Sequence, residues 1–227
     1  MAAAVTEGSY EVTERTRVRR HAERSSYDRS TVHAILDEGL ICHLGFVHEG
    51  APVVIPTMYA RSGEAIYLHG APASRMLKTL AAGVEVSVAV TLLDGLVLAR
   101  SVFHHSMNYR SVVVQGRATE VTDPEEKMFA FQALVGHVVT GRWGDARIPT
   151  GKELGATRVL KLPLAAVSAK LRSGGPKDDP GDLELQVWAG VIPLAVTPGA
   201  PIAAPDLIEG PGVPAYAAAY RRPGGLT

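Results

Sequence analysis

The sequence is short of several things, and each absence removes a class of function. It has one cysteine, Cys42. An intrachain disulfide is therefore impossible, as is a zinc site built from several cysteines. Lys and Arg together number 23, and so do Asp and Glu. A general binder of nucleic acid or of membrane surfaces needs a basic excess, so neither partner is expected. No apolar run reaches the about 18 residues of a membrane-spanning helix. Arg15, Arg17, Arg19 and Arg20 are not followed by an apolar stretch. No secretory signal is expected, and the cytoplasm is the expected compartment. No glycine-rich nicotinamide fingerprint is visible.

What remains is the composition of a globular protein: 227 residues, 46% hydrophobic and 20% charged, enough for one sizeable core. Residues 1–24 read as a polar arm, mobile or strapped over a neighbour. Residues 25–196 read as one domain. Residues 197–227, rich in Pro, Gly and Ala, read as an extended tail. Val32, Ile35 and Leu36 mark one face of a helix over 28–38, capped by Asp28 or Ser30 and ended by Gly39. Runs at 40–47, 52–60 and 65–69 read as a three-stranded meander. A helix follows Ser74 and stops near Gly83. The Val-rich run 84–93 is a strand, and Asp94-Gly95 after it signals a turn. A long strand covers 109–121. A helix covers 124–139, with Asp123 as N-cap and Glu126 as its reciprocal partner. Residues 141–152 read as a polar loop, 157–162 and 165–171 as strands, and 183–194 as a segment holding Trp188. The expectation is a mainly β protein with peripheral helices, an antiparallel closed or split barrel.

Two stretches carry chemistry. In Tyr67-Leu68-His69-Gly70-Ala71-Pro72-Ala73-Ser74-Arg75-Met76-Leu77-Lys78 a strand meets a turn, and a helix opens at Ser74. Arg75 and Lys78 share a helix face. Cations at the positive end of a helix are out of place unless an anion sits there. The plain alternative is a capped helix with solvated cations. In the second stretch, His104 to Ala118, Arg110 and Val112 point to one face of a strand, and Ser111 and Val113 to the other. This stretch is a rim site or simply a solvated loop entering a strand. His104 and His105 have no third ligand nearby, and no metal is expected. Cys42 reads as a buried packing residue with His43 on the opposite face.

Together the two stretches resemble the flavin-nucleotide-binding branch of the pyridoxamine 5′-phosphate oxidase-like split-barrel proteins, which includes nitroimidazole-resistance reductases. The resemblance spans roughly residues 24–194. Its carriers are Tyr67-Leu68-His69-Gly70 with Ser74-Arg75, Ser106 to Ala118, Ala169-Lys170-Leu171-Arg172 with Asp178-Asp179, and Trp188 to Leu194. It implies a homodimer with FMN in two grooves between the chains and a small-molecule substrate. By motif, Ser74 and Arg75 hold the FMN phosphate, with Lys78 as a helper. Asn108, Tyr109, Arg110 and Ser111 approach from the facing strand. Pro56, Thr57, Met58 and Tyr59 lie along the isoalloxazine, and Trp188 serves the partner's site. His69 takes the catalytic or substrate-contacting position. The substrate-binding signature of the full oxidase is missing from the C-terminal end, which argues against vitamin B6 oxidation. Two functions follow: an FMN-dependent oxidoreductase, or a dimeric module that holds flavin or haem without turnover. A dimer that has lost its ligand fits less well, because Ser74, Arg75, Arg110 and Ser111 are all present.

Overall fold

Asp28 accepts a hydrogen bond from the Thr31 backbone and opens α1, Arg29–Glu38; Gly39 closes it. Such a cap satisfies one of the orphan N–H groups of the first turn. In the computed structural model, which describes residues 8–221, α1 is preceded by the short strand β1, Ser25–Ser26, and followed by β2, Ile41–His48, and β3, Ala51–Met58. Alternation in β2 buries Cys42, Leu44 and Phe46 and leaves His43 exposed. Burial pushes the Cys42 thiol up to about 12.

The chain then changes sheets at Tyr59. β4, Ala60–Ser62, pairs with β5, Ala65–Gly70, whereas β3 pairs with β2. The expected meander is thus two hairpins in two sheets. The cause is Tyr59 itself, a fully buried side chain whose hydroxyl donates to the Leu36 carbonyl at 2.6 Å. After α2, Arg75–Ala81, comes β6, Glu85–Leu98, a single long strand. Asp94-Gly95 makes no turn within it. The pair forms a β-bulge opposite Tyr109 and Asn108 of β7, Ser106–Arg117. A bulge absorbs one extra residue and lets the apolar alternation resume beyond it, with Val97 buried.

Then follow β8, Thr119–Glu120, and α3, Pro124–Val138. Asp123 caps α3, but the Glu126 carboxylate binds Tyr67 and Lys161, so the expected reciprocal half is not made. The segment expected to be a loop forms α4, Arg142–Asp145, and α5, Gly151–Gly155, the latter with a complete Thr150–Glu153 capping box. β9, Arg158–Pro163, β10, Ala166–Arg172, and β11, Gly190–Pro193, complete the strands. The tail runs without regular structure to α6, Ala215–Ala218, where the Arg142 guanidinium donates to Tyr216 Oη.

All strand pairs are antiparallel. One sheet has the order β1-β10-β7-β6-β2-β3, with β11 also on β6; the other has the order β4-β5-β9-β8. The main core lies between them: Val32, Leu36, Leu44, Ile66, Leu68, Leu77, Leu80, Val88, Val112, Leu160 and Leu162 are all buried. Each such side chain contributes about 1.5–3 kcal/mol of burial. A second, smaller core under α3 holds Ala65, Tyr67, Val121, Ala130 and Val159. Residues 8–24 are not a free arm. Tyr10 is buried in the main core and bonds Glu64, and Arg15 bonds Gln115 and Glu85. Among the described residues, no helix is long and apolar enough to cross a membrane.

Candidate functional site

β5 ends at Gly70, and α2 begins at Arg75 after a four-residue turn. The turn between them is pinned by Arg158, which donates to the Pro72 carbonyl and to Glu120. Met76, Leu77 and Leu80 sink into the main core and orient the helix. Arg75 and Lys78 are then left on the outer side, exposed and without an ion pair among the described residues. Ser74 sits at the N-cap position, yet its hydroxyl makes no capping bond. Three polar groups at one helix start are therefore free for a ligand.

His69 lies one residue before the end of β5, paired with Val159, and its ring meets Phe131 of α3 edge-on at 6.4 Å. Neither ring nitrogen has a hydrogen-bond partner among the described residues, and Nδ1 is buried. Burial alone lowers its pKa below the ordinary histidine value. Burial thus favours the neutral imidazole over the imidazolium.

β3 is an edge strand, paired only with β2. Pro52 and Pro56 lack an N–H and fit positions turned away from β2. Backbone groups at 54, 56 and 58 therefore face the open edge, the Pro56 carbonyl and both Met58 groups included. Thr57 faces β2 instead, and its hydroxyl reaches the Met58 carbonyl at 3.4 Å. Tyr59, buried against His137 with ring centroids 5.0 Å apart, is a core residue.

The second stretch is arranged differently from the expectation. Arg110 donates to both oxygens of Glu38 and both of Asp94, at 2.5 to 3.0 Å. The hydrogen bonds it donates to Asp94 and Glu38 raise its pKa further. Its charge is already met twice over, so it has little to offer a phosphate. Asn108 is buried between the Arg172 guanidinium, which donates to its oxygen, and the Gly174 carbonyl, to which its amide donates. Ser111 lies on the face opposite Arg110 and donates to the Lys170 carbonyl at 3.1 Å. Tyr109 shares that outer face, half-buried. Arg110 and Ser111 thus do not converge on one ligand through their side chains. Trp188 is 65% exposed on the segment before β11.

The two adjacent histidines part company. His105 bonds the Ser101 carbonyl, whereas His104 meets Asp179 and Asp182, their ligand atoms within 4.8 Å of one another. The sequence pattern does not announce the Arg158 pin, the Phe131 cover or the carboxylates around Arg110. Each is a long-range contact without a local signature.

The family described as pyridoxamine 5′-phosphate oxidase matches residues 28–171. Among solved structures, the flavocytochrome Anf3 of Azotobacter vinelandii is 36% identical, with a TM-score of 0.87 over 92% of this chain and 97% of that one. An FAD and haem binding protein of Mycobacterium smegmatis is also 36% identical, with a TM-score of 0.82 over 85% and 95%. A protein assigned to 5-nitroimidazole antibiotic resistance in Bacteroides thetaiotaomicron is 23% identical, with a TM-score of 0.53 over 64% and 85%, a likeness of fold. No curated protein matches.

Proposed function

The chain belongs to the pyridoxamine 5′-phosphate oxidase family, and from that premise we propose that it is a redox protein holding a flavin and a haem, active as a pair of identical chains. The observation that carries this reading is His69: a neutral, half-buried imidazole without a hydrogen-bond partner among the described residues. A neutral imidazole is the form that ligates iron. Likeness over nearly the whole chain to a flavocytochrome and to an FAD and haem binding protein supports it.

In this reading Ser74, Arg75 and Lys78 hold the flavin's phosphate, because they are the polar groups left uncommitted at the start of α2. The open edge of β3 at Pro56 and Met58 presents backbone groups to the polar rim of the isoalloxazine. FAD is favoured over FMN by the mycobacterial relative. When bound, the flavin supplies one- and two-electron transfer and the haem supplies single-electron transfer; the protein supplies position and electrostatics. Pairing of chains is supported by apolar surface that one chain leaves bare: Ile41 is 57% exposed, Leu93 45%, Met107 53%, and Trp188 lies close to β11.

The open imidazole also favours a second reading, in which FMN alone reduces or oxidises a small organic substrate and His69 gives or takes a proton. The absorption spectrum of the protein as purified, and again after addition of haemin, separates the two. The first reading expects flavin bands and a Soret band from a dimer. A flavin spectrum that haemin leaves unchanged supports the second, and a flavin-loaded monomer contradicts the pairing in both.

A further inference from the structure

Two arginines flank Asn108, and their surroundings are opposite. Arg110 faces two carboxylates. Arg172, at the end of β10, is only 8% exposed and faces none among the described residues. Its guanidinium donates to the Asn108 side-chain oxygen and to the carbonyls of Gly174 and Gly175, at 3.4 and 3.1 Å for the latter two. All three acceptors are neutral. Burial lowers its pKa, and the next cause is another cation, Arg24.

The strand register gathers more positive charge here. Arg172 stands opposite Tyr109, and Lys170 opposite both Ser111 and Ser25, the residue after Arg24. The Lys170 ammonium donates to the Arg20 carbonyl, again a neutral acceptor. Glu23, exposed and 3.6 Å from Arg24, is the acid that forms an ion pair with this group. A guanidinium taken out of water and given only neutral oxygens is costly, and an anion offsets that cost. Of its five donors, Nε–H has no acceptor among the described residues.

We propose that Arg172, with Arg24 beside it, is an anion subsite that takes a carboxylate or phosphoryl oxygen of a bound cofactor, the role that the sequence pattern suggests for Arg110. The identity of the cofactor rests on the flavin–haem reading; the subsite itself rests on the unmatched buried charge. Two sources of that oxygen fit: the pyrophosphate of a flavin dinucleotide and the propionates of a haem.

The test titrates the full chain, wild type and Arg172→Gln, with four ligands. FAD and haemin carry the anionic groups; riboflavin and haemin dimethyl ester lack them. Arg172→Gln is expected to weaken either FAD or haemin by about 10- to 100-fold, the scale of a charge-assisted hydrogen bond. The matching uncharged ligand should change less than about twofold, and Arg172→Lys should fall between. Loss confined to FAD assigns the pyrophosphate; loss confined to haemin assigns the propionates. Equal losses for charged and uncharged ligands, or no loss for any, overturn the subsite and leave Arg172 as a brace for the 173–175 turn. Should Arg172→Gln not fold, Arg24→Gln, at a partly exposed side chain, is expected to produce a smaller loss with the same selectivity, and unchanged affinities in it overturn the proposal. A wild-type chain that takes up neither cofactor but binds inorganic pyrophosphate, with that binding lost in Arg172→Gln, keeps the subsite and removes the flavin–haem reading.

Discussion

Arg110 donates to four carboxylate oxygens, and Arg75 to none. The motif around each arginine is equally legible in the sequence, and both suggest phosphate. What separates them is distance along the chain: Asp94 lies 16 residues and Glu38 72 residues from Arg110. No local pattern reports such partners. The consequence is a pair of opposite expectations. Arg110→Ala leaves Glu38 and Asp94 without this cation. It should cost about 3 kcal/mol in urea unfolding, the low end for a broken buried pair because Arg110 is partly exposed. Flavin affinity of the folded fraction should stay unchanged. Arg75→Ala should leave stability within about 0.5 kcal/mol and weaken FAD or FMN about 10- to 100-fold, with riboflavin indifferent. A reversal of these two results would return the phosphate to Arg110.

Among the elements, α1, α2 and α3 were legible because caps and apolar spacing lie within a few residues of one another. β2 and β6 were legible from alternation, and β5 and β7 from short runs of strand-favouring residues. The errors fall where one local signal fits two structures. Asp-Gly serves a hairpin turn and a bulge alike, and only β7 running alongside β6 decides for the bulge. Likewise nothing local in 52–60 marks Tyr59 as the point where the chain leaves one sheet for the other. The bulge also has a packing role. A Cβ on Gly95 would come within 3.0 Å of the Ile192 carbonyl and 3.1 Å of Val191 Cγ1, both on β11. Gly95→Ala should therefore loosen β11, at about 1–3 kcal/mol for an overpacked site. Limited proteolysis should show new cleavage within 183–194, near Trp188. Protection equal to wild type would mean that β11 accommodates the methyl group.

For the molecule as a whole, three histidines titrate against stability. Burial pushes His33, His69 and His137 below the ordinary value of 6.5. Each binds its proton more weakly folded than unfolded, so the unfolded chain takes up more protons as pH falls. The stability that they contribute is full above about 6.5 and is lost as pH drops through their folded values. The midpoint of thermal unfolding should fall between neutral pH and pH of about 5, and the fall should shrink in His137→Gln. A midpoint flat across that window would mean that these rings are as free to protonate folded as unfolded. The same logic bears on the cofactors: a bound haem that takes the His69 imidazole blocks its protonation and should steepen the dependence of haem retention on pH.

His69→Ala in the full chain, loaded with FAD and haemin and followed by absorption, tests the central claim most directly. The wild type is expected to show flavin bands and a Soret band shifted from that of free haemin. His69→Ala is expected to keep the flavin bands at full strength and to lose the shifted Soret band, with haem affinity down by at least about 10-fold, no less than the loss of an outer-shell partner costs a metal site. Haem uptake and a Soret position identical to wild type would contradict the assignment of His69, and with it the reading of this chain as a flavin–haem protein built around that imidazole.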